Sequence, residues 1–130
     1  MAFPYNTHNK TIDIAKPTNA FCDFYFKWNE NENQTVQFTI TENDAAYDLS
    51  GYFFQFRINR IVPGQASVNV MNVLNADITL STNVVSFSID NADIPAVDSY
   101  EACLICYDDT DWNQSRVLAK GNINVSESLY

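Results

Sequence analysis

Histidine occurs once in this 130-residue chain, at His8, glycine three times, and Lys and Arg together seven times. Each shortage removes a class of function. Ser-His-Asp and Cys-His chemistry need a histidine fixed by packing and by a partner group. His8 lies among Asn residues near Pro4, in a segment that reads as an extended arm, so no His-based catalytic site is expected. Sixteen acidic residues outweigh the basic ones and leave a net charge of -9. Phosphate backbones and anionic membrane surfaces both need clustered Lys and Arg, so neither nucleic acid nor membrane is an expected partner. No phosphate-binding loop, nucleophile-base pair or metal triad is visible, and an enzyme is not expected.

Cysteine is scarce and odd in number: Cys22, Cys103 and Cys106. One stays free unless it pairs between chains. Cys103-Leu104-Ile105-Cys106 has C-x-x-C spacing. Redox and zinc versions of that motif need a turn or helix N-terminus that aims both sulfurs at one point. On a strand, residues three apart face opposite sides. Buried free thiols are therefore expected, with a Cys22–Cys103 or Cys22–Cys106 bridge as the alternative in an oxidising setting. No signal peptide opens the chain, and no apolar run could span a bilayer. The chain begins at Met without a tag, and the expectation is a whole small protein made in a cytoplasm with reduced thiols.

What the chain has is aromatic and alternating. Hydrophobic residues make up 46% and aromatics 14%, which fits a folded core rich in strands. Phe24, Phe26 and Trp28 share one face of a strand over 20–28. Val36, Phe38 and Ile40 share one face of the next, and Phe54, Phe56 and Ile58 one face of another. Further strands are expected near 67–74 with a register slip, at 77–80, 84–89, 99–107 and 116–125, the last with a bulge at Gly121. A short edge strand fits Thr11–Ile14, and one helical turn fits 91–98. With so little glycine, Asn residues at 29–33 serve the turn. The pattern is all-β: an antiparallel sandwich of about eight strands (20–130) behind an N-terminal arm (1–19).

The closely spaced Asp108, Asp109 and Asp111 are the best cation candidate, a weak one suited to Ca²⁺, without the glycine and distal Glu of an EF-hand loop. A solvated hairpin turn is the competing reading. Trp28 and Trp112, the latter in the same loop, could stack on sugars with the outward Tyr25 and Tyr107, although the core is the better place for Trp28. A carbohydrate- or Ca-dependent binding module is therefore the alternative function. No cofactor is implied.

The order of elements is similar to the immunoglobulin-like N-terminal domain of tailed-phage baseplate upper proteins and related virion adaptors. The likeness is carried by Gln34–Thr41, the Tyr47-Asp48-Leu49-Ser50-Gly51 corner and Phe54–Ile58. It continues in Val84–Ile89, Ser99–Ala102 and Ile123–Val125. Ser99 replaces a family glycine, and the long fibre or coiled-coil region of family members is missing. The resemblance implies an immunoglobulin-like sandwich with no catalytic residues. It implies a structural virion protein, made in the host cytoplasm, that docks on capsid, portal or baseplate. There it would anchor a fibre, such as a head fibre, or another virion protein, as a homo-oligomer in the particle. Docking would then fall to strand edges and to Phe3, Tyr5, Ile12, Ile14 and Trp112.

Overall fold

A computed structural model describes residues 6–15, 22–108 and 111–127, with the backbone alone at 111–114. The described strands are β1 (Asn6–Asp13), β2 (Phe24–Asn29), β3 (Gln34–Glu42), β4 (Ala45–Ala46), β5 (Tyr52–Arg60), β6 (Val68–Val73), β7 (Thr79–Ser81), β8 (Val84–Ile89), β9 (Asp98–Asp108) and β10 (Asp111–Ser126). Single 3-10 turns lie at Asn75–Asp77 and Asn91–Asp93. One sheet runs β1-β3-β8-β7, with β4 also on β3, and the other runs β2-β10-β9-β5-β6.

Period-two alternation decides which side chains meet between the sheets. Along β3, Gln34, Val36, Phe38 and Ile40 are buried, while Thr35, Gln37, Thr39 and Thr41 are half-exposed. Phe54, Phe56 and Ile58 of β5 face them from the other sheet and are likewise buried. Phe24, Phe26 and Trp28 of β2 close one side of the core. The scarcity of glycine is met at the turns by other residues. Asn31, Asn43, Asp44 and Thr82 take the left-handed conformation, with φ of 62°, 52°, 67° and 55°. Asn and Asp tolerate that region, whereas β-branched Thr82 is strained there. Gly51 and Gly64 serve the two turns where glycine is present, at φ 82° and 75°.

The sandwich is antiparallel except at two places. β1 runs parallel to β3 from Asn6↔Gln34 to Asp13↔Thr41, and β2 runs parallel to β10 from Phe24↔Gly121 to Asn29↔Ser126. β1 and β2 are consecutive in sequence but lie at matching edges of opposite sheets, so each joins a strand remote in sequence instead of forming a hairpin. The edge strand expected at Thr11–Ile14 thus begins at Asn6. The register slip expected at 67–74 is a bulge in the β5–β6 pairing, between Ile58↔Met71 and Asn59↔Asn69. The hairpin loop expected from Asp108 is shorter, because β9 ends at Asp108 and β10 begins at Asp111.

Gly121 is not at a bulge. The irregularities of β10 against β9 fall between Asp111 and Ser115 and between Val117 and Ala119. Gly121 sits in the regular stretch, paired with Phe24 on one side and Ala102 on the other. A Cβ there would run into the backbone oxygen and the ring of Phe24. The glycine is required by close approach of β2, not by a kink.

Candidate functional site

His8 lies in β1 and faces the edge of the core. Its ring centroid is 5.4 Å from that of Phe26 and 6.4 Å from that of Trp28, and Nε2 lies 2.7 Å from Oε1 of Gln34. Gln34 is 1% exposed, the one buried polar side chain among the described residues. The histidine therefore satisfies a buried amide, a structural task. No Ser, Cys or carboxylate is hydrogen-bonded to the ring among the contacts described.

Among the described residues none of Cys22, Cys103 and Cys106 forms a disulfide with another. Cys22 donates its S–H to the Phe24 carbonyl at 2.6 Å. Cys103 and Cys106 lie in β9 on opposite faces, as their spacing requires. Burial pushes the Cys103 thiol up, and it pushes Cys106 up to about 11. Both are consequently poor nucleophiles near neutrality, because the thiolate is the reactive form. A raised folded-state pKa adds stability that is complete below the ordinary thiol value of 9.0 and is lost as pH rises through the folded value. Tyr47 acts in the same direction: its hydrogen bond with Tyr52, and then burial, push it from 10.0 up to about 12. In a Cys22→Ser background, iodoacetamide labelling of native protein should stay slow to about pH 9, and thermal stability should fall between pH 9 and 12. Labelling of Cys106 at pH 8 at the rate of a small free thiol would contradict this.

The Asp23 carboxylate accepts the Lys120 N–H at 2.9 Å and its own N–H donates to the Lys120 carbonyl at 2.6 Å, tying the start of β2 to β10. Glu101 stands opposite Asn122 on the outer face. Among the described residues no three His, Cys, Asp or Glu side chains gather as a metal cage. Of the calcium candidates, Asp108 ends β9, Asp109 lies outside the described residues, and the side chain of Asp111 is also outside them.

Of the residues expected to dock a partner, Ile12 and Ile14 have described side chains. Phe3 and Tyr5 lie outside the described residues, and Trp112 belongs to β10 with its side chain outside them. Ile12 is buried in the core, and Ile14 packs against it. Ile14 helps line a small apolar cavity of about 140 Å³ with Tyr47, Tyr52, Cys106 and Leu118, where Arg116 donates to the Ile14 carbonyl at 2.9 Å. Trp28 is core, 1% exposed. Tyr25 is 53% exposed on edge strand β2, and Tyr107 meets Phe53 edge-on at 5.6 Å on the outer face of the same sheet.

Among the described strands, β1 and β7 edge one sheet and β2 and β6 the other. In β1 only Ile12 is buried. The strand is held by its ladder to β3 and by Asp13, whose carboxylate accepts the Asn43 and Asp44 N–H groups at 3.1 and 3.0 Å. On the opposite side, β6 exposes Val68 and Val70, β7 exposes Leu80, and a larger groove opens between β6 and β8.

None of the curated protein sequences matches the chain. The N-terminal domain of phage TP901-1 ORF48 shares the fold, with a TM-score of 0.57 and 13% identity over 93% of this chain and 98% of that one. Auracyanin A, a blue copper protein from Chloroflexus aurantiacus, overlaps more loosely, with a TM-score of 0.45 and 12% identity over 93% of this chain and all of that one. The BppU N-terminal domain family matches residues 6–130, and the chain belongs to that family, a structural domain of phage baseplate upper proteins and so a component of the virion.

Proposed function

We propose that the protein is a docking subunit of a tailed-phage particle, fixed to baseplate, capsid or portal and anchoring a fibre or a neighbouring virion protein. Family membership supports the reading, and one structural observation carries it: β1 is an edge strand in which a single residue, Ile12, is buried. Such a strand presents its outer backbone edge to a neighbour, and an adjoining segment can extend the pairing. Phe3 and Tyr5, just before it in sequence, supply apolar anchors. Several copies would dock together as a homo-oligomer, since virion components repeat with the particle's symmetry.

Two truncations test this. Deleting residues 1–5 leaves β1 whole, and deleting residues 1–10 removes the first five of its 8 residues. Both proteins should keep the β-rich circular dichroism of the sandwich, and neither should enter particles. Quantitative mass spectrometry of purified particles reads the copy number. Normal incorporation of the shorter chains would overturn the role given to β1, and absence of the intact chain from particles would overturn the docking role.

A further inference from the structure

We infer that the groove between β6 and β8 receives an extended, basic peptide segment of a neighbouring virion subunit, which adds as a strand to the uncovered half of β8; the inference rests on the docking role above. On one edge β8 pairs with β3 along its whole length, from Val84 to Ile89. On the other edge β7 covers only Val84, Val85 and Ser86. Among the described residues no strand lies beside Phe87–Ile89 on that edge. In an extended chain, alternate backbone groups aim away from the paired neighbour, so this stretch offers donors and acceptors to an incoming strand.

The space for that strand exists. The chain leaves β6, crosses to the other sheet through the turn at Asn75–Asp77 and begins β7 at Thr79. The crossing leaves a groove of about 460 Å³ lined by Met71, Val73, Asp77, Ser88, Asp90 and Asp93, among others. Its size is within the range of ligand sites. The opposite wall is less receptive to pairing. β6 is bulged, and its Asn69 and Asn72 amides bond each other at 3.0 Å, with Asn69 also donating to the Ile58 carbonyl at 3.3 Å. Bulges and occupied edge groups discourage strand addition.

The sign of the partner follows from the lining. Among the described residues Asp77, Asp90 and Asp93 border the groove, and no Lys or Arg does. The whole chain carries -9. A cationic segment is attracted and an acidic one repelled. Leu74 and Leu80, beside groove residues Val73 and Thr79, are 56% and 38% exposed. A strand with alternating basic and apolar residues would match both walls, because its side chains point to opposite faces.

The test is a titration of the ¹⁵N-labelled full chain with the synthetic peptide Val-Lys-Val-Lys-Val. Amide shifts should concentrate at Phe87, Ser88 and Ile89. Affinity should fall at least tenfold with Asp77→Asn/Asp93→Asn, and at least tenfold when Glu replaces Lys in the peptide. Both aspartates are exposed, so the variant should fold. In particles, carbodiimide should couple Asp77 or Asp93 to a lysine of another protein. No shift at millimolar peptide, or equal affinity for the Glu peptide, would overturn the inference. The titration needs only the folded chain, so its failure is separate from absence of the protein from particles, which would sink the docking role instead.

Discussion

Phe38→Ala is expected to lower the stability of the domain by about 4 kcal/mol, the range found for large aromatic-to-alanine changes in cores. Phe38 is fully buried at the middle of β3. Its ring meets Phe24 edge-on at 5.3 Å and lies 6.0 Å from both Phe26 and Phe56. Those three rings come from β2 and β5 of the other sheet, so Phe38 joins the two layers. Removal forfeits the transfer energy of the ring, leaves a cavity between the sheets and breaks aromatic pairs worth about 0.5–1.5 kcal/mol each beyond area. Tyr25→Ala is the control. Tyr25 lies on the same β2 but is 53% exposed, so its loss should be within about 0.5 kcal/mol. Urea unfolding of both variants checks the pair, and a Phe38→Ala loss below about 1 kcal/mol would show that the aromatic cluster does not hold the sheets together.

Which residues face the core was legible in the sequence because alternation is a local property. Val36, Phe38 and Ile40, the Phe24-Phe26-Trp28 face and the Phe54-Phe56-Ile58 face all turn inward as expected. Alternation gives a residue's face but not its strand's neighbour. The parallel places of β1 and β2 depend on β3 and β10, remote in sequence, and nothing local to Asn6–Asp13 or Phe24–Asn29 marks them. Gln34 was not singled out in the sequence, although the inward alternation of Val36, Phe38 and Ile40, carried back one step, reaches it and puts a polar side chain in the core. That its partner is His8 follows only from the parallel register Asn6↔Gln34, which brings β1 alongside.

The groove was half legible. The unequal lengths of the two strands around Ser81–Asn83 were visible, and a three-residue β7 cannot cover a six-residue β8. The other wall comes from β6 in the opposite sheet, which no local pattern announces. Ile12 was ambiguous in the sequence, because an apolar residue near a terminus reads equally as anchor or as core. Ile12 is core, since the β3 ladder draws β1 over the edge of the sandwich.

Gly121→Ala is expected to cost about 2–3 kcal/mol, and Gly121→Val more, as overpacking in a site that cannot give. The glycine is buried where β10 is flanked by β2 and β9, and a Cβ would strike both the carbonyl oxygen and the ring of Phe24. The ring could rotate away, but the backbone oxygen belongs to the parallel ladder and can move only if β2 does. A double-mutant cycle separates the two. Phe24→Leu should recover part of the Gly121→Ala loss, the part due to the ring, and leave the backbone part in place. Displacement of β2 would also disturb Phe26 and Trp28, on which His8 of β1 rests. Gly121→Ala should therefore raise hydrogen exchange along β1, in the opposite sheet, as well as along β2. Full recovery by Phe24→Leu, with β1 exchange unchanged, would mean that the close approach is a side-chain matter and that the β1 edge is held by β3 alone.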